Sequence, residues 1–299
     1  MIPSVVKYAG ALLFLVLCWQ DSAGDILYDR DSLYHHIRVT QLENYRYLSF
    51  DRTRGSQSVI NLDNHDELKF AYTRAMFVAL GFLEDMPKRV LFVGLGGGSM
   101  PRIFSKYCPD IQIDIAEIDP DVVNAAKEYF FFKPTNMMKV HAMDGRQYLK
   151  RNDVQYDLIF LDAYNNHSIP FHLTTREFFE LVRRRLKPRG AAASNVWSPS
   201  SNEYFDSQIN TIKSVFPRFY DFDAVGSGNH IFVSTMQSDP ITQEELQKRI
   251  DQIFQDIPFP FSVNEFIRTY EDLTQKEIQA DILTDDFAPV NVMRSQRTN

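Results

Sequence analysis

The sequence predicts an α/β fold in which an open, mainly parallel sheet is covered by helices on both faces. Three observations predict it. Mostly apolar runs recur at residues 89–93, 111–118, 140–143, 156–161 and 191–196, and they are apolar on both faces rather than alternating, as strands between two helical layers are. Candidate helices lie between them, at residues 100–107, 120–130, 146–151 and 175–186. The first run ends in Gly94-Leu95-Gly96-Gly97-Gly98-Ser99, a tight turn that feeds a helix. Together these describe a Rossmann-like sheet.

The remaining segments are assigned in chain order. Residues 1–24 hold Lys7 and then a largely apolar run of residues 8–19, too short to span a bilayer but suited to a signal-peptide core. Ser22-Ala23-Gly24 supplies small residues for cleavage, and Asp21 and Asp25 place negative charge beyond the run. This predicts a signal peptide or N-terminal anchor, with the rest of the chain periplasmic or extracellular. A buried N-terminal helix in a cytoplasmic protein is the other reading. Any membrane tether is expected only through these residues.

Residues 25–65 read as a β region, with short strands over 33–62 and turn residues at Asn44 and Gly55. Residues 66–236 carry the main sheet. They open with a helix over 66–83, because Phe70, Ala71, Met76, Phe77, Leu80 and Leu83 recur at helical spacing. Thr174-Thr175-Arg176-Glu177 fits a capping box that starts the 175–186 helix, and Lys187, Pro188 and Gly190 mark its end. Residues 219–225 and 230–235 read as a hairpin around Gly226-Ser227-Gly228. Residues 237–299 read as a helical extension, with capping boxes starting at Thr242 and Thr274.

Composition narrows the function. The chain has 39 acidic and 32 basic residues and a net charge of −7, which suits solubility and does not suit phosphate binding, so no nucleic-acid partner is expected. Its cysteines, Cys18 and Cys108, form no Cys-x-x-Cys pair, and His167 and His172 follow no ligand spacing, so no metal site is expected.

The chemistry concentrates at strand ends. Glycines at 94, 96, 97 and 98 allow the backbone to approach a ligand closely. The loop departs from G-x-G-x-x-G, since Ser99 stands where the third glycine belongs, which argues against a dinucleotide. Glu117 ends the next strand about 20 residues on, where an acid can accept both hydroxyls of a ribose. Asp144-Gly145 and Asp162 follow two further strands. In an open parallel sheet these positions converge on one crevice, where the acid at Glu117 suits the ribose of a nucleoside ligand. Asp162 is the candidate for reactive chemistry, since a carboxylate there can take a proton from an amine.

The order glycine loop, Ala116-Glu117-Ile118-Asp119-Pro120, Asp144-Gly145, Tyr156-Asp157-Leu158-Ile159-Phe160-Leu161-Asp162 and Glu177-Phe178-Phe179 resembles the polyamine aminopropyltransferase (spermidine synthase) family over roughly residues 33–235. The likeness extends to Ser32-Leu33-Tyr34-His35-His36-Ile37, to the segment with Asp66, Glu67 and Tyr72, and, through Ser168–Phe179, to a divergent bacterial branch. The resemblance implies a class I methyltransferase fold, decarboxylated S-adenosylmethionine as donor, and a small amine as acceptor. It implies that Gly94, Gly96, Gly97, Gly98 and Ile118 contact the donor. Glu117 would hold the ribose, Asp144 and Gly145 the adenine, and Asp162 would be the base. Tyr72, Tyr164 and Asn165 would line the amine site. A homodimer through the N-terminal β region is also implied.

The chain departs from the family pattern at four places, one of them a later family Tyr with no clear match near Asp221–Gly228. Gly97 replaces a donor-binding Asp, Asn165 replaces a second Asp, and Thr73-Arg74 replaces a Gln-Glu pair. Two other readings therefore stay open: a methyltransferase using intact S-adenosylmethionine, and a non-catalytic envelope protein on the same fold.

Overall fold

In the computed structural model, which describes residues 24–50, 55–163 and 169–286, the chain builds two sheets. The first is antiparallel and runs in sequence order: β1 (Asp25–Asp31), β2 (His36–Leu42), β3 (Tyr45–Ser49) and β4 (Ser58–Asn61). Its apolar face presents Ile37, Val39, Leu48 and Ile60, as the two-residue period of a strand dictates. That face packs on Val122, Ala125 and Phe130, so the small sheet is fastened over one end of the large one.

The large sheet is introduced by α1 (Ala71–Ala75) and a 3₁₀ turn, Met76–Phe82. Then follow β5 (Arg89–Val93), α2 (Ser99–Tyr107), β6 (Gln112–Glu117), α3 (Pro120–Tyr129), β7 (Met138–Ala142), α4 (Gly145–Arg151) and β8 (Tyr156–Leu161). After them come α5 (Arg176–Arg185), β9 (Leu186–Trp197), α6 (Phe205–Lys213), β10 (Arg218–Ala224) and β11 (Asn229–Thr235). The chain continues through α7 (Gln243–Asp256), α8 (Asn264–Ile267) and β12 (Glu271–Asp272).

Strand order is β12-β10-β11-β9-β8-β5-β6-β7. The last five are parallel and the first three join antiparallel. This is the Rossmann-like parallel sheet that the apolar runs predict, in the class I methyltransferase-like order that the resemblance implies. The direction of winding reverses between β5 and β8, which opens a crevice at their carboxyl ends. Leu91 and Ile159 face one layer with Phe178 and Val182 of α5, while Phe92 and Phe160 face the other with Ile103 and Phe104 of α2. Phe92 and Phe160 stack at 4.8 Å. Truncating either to alanine would cost about 3–5 kcal/mol.

Several local expectations are corrected. The 66–83 segment is not one helix. Residues 66–70 are irregular because Asp66 is engaged elsewhere, accepting from Tyr107 Oη at 3.0 Å and from Lys106 on α2. Met76–Phe82 is buried on all sides, so its spacing reflected a fully enclosed 3₁₀ turn rather than one apolar helix face. Thr175, not Thr174, caps α5 by accepting from the Phe178 N–H at 3.3 Å, while Thr174 Oγ1 donates to the Phe171 carbonyl. The strand expected at 191–196 begins at Leu186. Tyr156 pairs with Leu186 and Leu158 with Ala191, and the irregularity between those pairs accommodates Lys187, Pro188 and Gly190.

The Thr242 cap holds, accepting from Glu245 N–H at 3.2 Å. The Thr274 box does not start a helix. Thr274 Oγ1 instead accepts from the Phe219 N–H at 3.1 Å and donates to its carbonyl, and the neighbouring β12 extends the sheet. Among its described residues, 237–286, the C-terminal extension is therefore only partly helical. The strands expected over 33–62 gain β1, which pairs with β2. The apolar run at 8–19 lies outside the described residues.

Candidate active site

A cavity of about 660 Å³ lies at the carboxyl ends of β5, β6 and β8, walled on its open side by the small sheet and α1. Gly94, Gly96, Glu117, Ile118, Asp144, Gly145, Asp162 and Tyr72 all line it. The sheet ladder continues past the strands to fix the first residues of each loop. Gly94 N–H donates to the Ala116 carbonyl and Asp162 N–H to the Val93 carbonyl, both at 2.9 Å.

Gly94 has a φ of 98°, and a β-carbon there would lie 2.3 Å from the Asp162 carbonyl oxygen. Glycine is therefore required where the two loops cross. Gly97 N–H donates to Ser58 Oγ at 2.8 Å, which ties the small sheet to the glycine loop. Gly97 packs against Phe130 and Gly98 against Phe132. These two shape the turn without lining the cavity.

Glu117 is held from both sides. Oε2 accepts from the Leu95 N–H at 2.9 Å and Oε1 from the Asp119 N–H at 3.0 Å. Burial raises its pKa, and these two amides oppose the rise. A carboxylate anchored this way keeps its remaining lone pairs aimed into the cavity, where they can accept hydroxyls. Asp119 caps α3 through the Asp121 N–H and accepts from His35 Nδ1 at 3.1 Å, which places His35 in the cavity wall, stacked on Phe50 at 4.2 Å.

Asp144 caps α4 by accepting from the Gln147 N–H at 2.9 Å, and its other oxygen meets His172 Nε2 at 2.8 Å. Burial pushes its pKa up, but the bonds from His172 and Gln147 prevail and hold it below the usual range. His172, whose spacing gave it no role in the sequence, is thus part of the site. Gly145 is buried against Val93.

Asp162 is partly buried within the site. Its Oδ1 accepts from Asn195 Nδ2 at 2.9 Å, and the Tyr72 hydroxyl, which donates to the Gln57 carbonyl at 3.5 Å, lies near enough to favour the charged carboxylate as well. Burial pushes its pKa up to about 6, against the pull of those two donors. Tyr72 is raised well above the usual phenol value by burial and by Asp162, so it stays protonated and donates. At neutral pH the pair is a carboxylate base with a fixed donor beside it. Tyr164, Asn165 and His167 lie outside the described residues.

The departures from the family pattern are placed as follows. Gly97 does not line the cavity. Thr73 lines it and donates to the Phe70 carbonyl at 2.7 Å. Arg74 turns outward, to the Leu68 carbonyl at 2.7 Å and Glu265 at 3.2 Å. Sequence reasoning missed Gln57, Ser58, Asn195, Trp197 and Asn229, all of which line the cavity. Asn195 carried a signal: it is an amide inside an otherwise apolar strand, and such a group is placed there only with partners.

Residues 69–225 match the spermine/spermidine synthase domain family. A curated polyamine aminopropyltransferase of Vibrio vulnificus is 35% identical, over 95% of this chain and 98% of its own. A spermidine synthase solved with the transition-state analogue AdoDATO superposes with a TM-score of 0.64 at 19% identity, covering 82% of this chain and 84% of its own. Human methyltransferase-like protein 13, solved with SAH, superposes with a TM-score of 0.56 at 24% identity, covering 74% of this chain and 99% of its own.

Proposed function

The chain belongs to the spermine/spermidine synthase family, and from that premise we propose that it transfers an aminopropyl group from decarboxylated S-adenosylmethionine to a small amine. The observation that carries this reading is Asp162, a partly buried carboxylate poised near pH 6 beside a protonated Tyr72, in the same cavity as Glu117 and Asp144. The glycine turn and Glu117 suit a ribose, and Asp144 with Gly145 suits the exocyclic amine of an adenine. These residues fit the donor's nucleoside.

The reaction balances without a further co-reactant. The neutral amine's lone pair attacks the aminopropyl carbon bonded to the sulfonium, the new C–N bond forms and the C–S bond breaks. Sulfur takes that electron pair and leaves as the thioether of methylthioadenosine. Asp162 makes the acceptor neutral by taking a proton from its ammonium as it attacks, and the product nitrogen leaves as the secondary ammonium. The protein's main contribution is to hold the two reactants in line.

Methyl transfer from intact S-adenosylmethionine is the competing use of this site, and calorimetry separates the two. Tighter binding of the decarboxylated donor than of the intact one supports the proposal. The reverse order, with methylation of an acceptor, would replace it. No binding of either would favour a non-catalytic protein. We also read residues 1–24 as an export signal or anchor.

A further inference from the structure

We infer that the acceptor is a monoamine: one primary amino group on a short chain whose far end is uncharged, an alkylamine or an amino alcohol rather than a diamine. This rests on the proposed reaction and names its acceptor. Contacts to Asp162 mark out the acceptor half of the cavity. Asn195 Nδ2 donates to its carboxylate at 2.9 Å, and Asn229 Nδ2 donates to Asn195 Oδ1 at 2.9 Å. The Tyr72 hydroxyl donates to the Gln57 carbonyl at 3.5 Å and acts on Asp162. Lys69 and Thr73 flank Tyr72 along the chain, and Ser227 lies on the turn that leads into Asn229. All of these line the cavity.

The charges of this half run one way. Among the described residues that line the cavity, the carboxylates are Glu117, Asp144 and Asp162. Glu117 is fixed by the Leu95 and Asp119 N–H groups, and Asp144 by the Gln147 N–H and His172, at the end that suits the nucleoside. Asp162 is the one of the three that stands at the acceptor end, and its negative charge is taken up by the attacking nitrogen, whose proton it accepts. Gln57, Thr73, Ser227 and Asn229 are neutral. Lys69 brings a positive charge to the same wall, where its Nζ donates to the Tyr45 hydroxyl at 3.3 Å. Glu67, 3.8 Å from that Nζ, accepts from Asn61 and does not line the cavity. The sequence outside the described residues does not reverse this balance. Residues 164–168 and 287–299 contain no acid, residues 51–54 contain Asp51 with Arg52 and Arg54, and residues 1–23 contain Asp21 and Lys7.

A diamine that reacts at Asp162 keeps an ammonium group on its far end. Away from water that charge is costly unless an acid meets it, and near Lys69 it is repelled. A methyl or hydroxyl end meets neither cost. Neutral amides and hydroxyls can bond an alcohol, and Phe70 and Trp197, which also line the cavity, can cover a carbon chain. Selectivity of this kind comes from disfavouring the wrong acceptor as much as from holding the right one.

Amines of matched length separate charge from shape: 1,4-diaminobutane, 4-aminobutanol and pentylamine. With the full chain and decarboxylated S-adenosylmethionine at pH 7.5, kcat/KM for 4-aminobutanol and for pentylamine should each exceed that for the diamine by about tenfold or more. Gln57→Glu adds a carboxylate to this wall and Lys69→Gln removes its cation. Each should narrow the ratio by about threefold to tenfold, by raising turnover of the diamine. Lys69→Arg keeps the charge and should keep the preference. Calorimetry of the same amines on the chain loaded with methylthioadenosine reads the preference without turnover, and the diamine should bind weakest. A diamine turned over or bound as well as the neutral-ended amines would overturn the inference. So would a ratio unmoved in both Gln57→Glu and Lys69→Gln, or no binding of any of the amines. Aminopropyl transfer to none of them, with the binding order as stated, would instead refute the proposed reaction and leave the monoamine site standing.

Discussion

Asp162→Asn should lower activity and raise stability at the same time. The side chain keeps its shape, and the new amide's oxygen still accepts from Asn195 Nδ2, which now stands 2.9 Å from the carboxylate. What disappears is the base. General-base assistance contributes about 10²–10⁴-fold, so kcat for aminopropyl transfer should drop by that amount near pH 7.5. Donor affinity should change less than about twofold, since Glu117 and Asp144 are untouched. The unaltered enzyme should gain activity as pH rises through about 6, and this limb should vanish in the variant.

Stability moves the other way. The carboxyl pKa is raised from 3.8 to about 6 by folding, so stability is fully present below the unfolded value and is lost as pH rises through 6. At neutral pH that shift of roughly two units corresponds to about 3 kcal/mol, an upper figure for what the neutral amide would recover. Urea unfolding at pH 7.5 and at pH 4 measures it: the variant should gain at the higher pH and little at the lower. Retention of more than about a tenth of kcat, or persistence of the limb near 6, would refute the base assignment.

Three further outcomes are expected. Glu117→Gln replaces one acceptor oxygen with a donor that faces a backbone N–H, so donor affinity should fall about tenfold to a hundredfold by calorimetry. His172→Ala removes a bond that holds the Asp144 pKa down, so the loss of donor binding on acidification should begin at higher pH, read from binding between pH 4 and 7. N-terminal sequencing of the native protein should find a mature end near residues 22–25, and an intact Met1 on soluble protein would remove the cleaved-signal reading.

The parallel sheet was legible because strands buried on both faces must be apolar almost throughout, and few other elements look like residues 156–161. The strand-end acids were legible for the same reason: Glu117, Asp144 and Asp162 each follow such a run, and topology carries all three to one cavity. Local caps were less legible. Thr174 and Thr175 both suit a cap, and only the turn Phe171–Leu173 decides between them, by taking the Thr174 hydroxyl. Thr274 heads a sound capping box, yet bonding to Phe219 and the sheet edge outweighs a short helix. His172 and Asn229 were invisible as site residues because their partners lie 28 and 34 residues away in sequence, whereas Asn195 could be flagged only as an amide within an apolar run.

The most direct measurement follows the aminopropyl carbons. The full-length protein is incubated with decarboxylated S-adenosylmethionine labelled in the aminopropyl chain and with primary amines carrying one or two amino groups. Label should enter an amine in equal amount to the methylthioadenosine released, in unaltered protein and not in Asp162→Asn. Label that stays in the donor with every amine, while methyl groups pass from intact S-adenosylmethionine, would contradict the account.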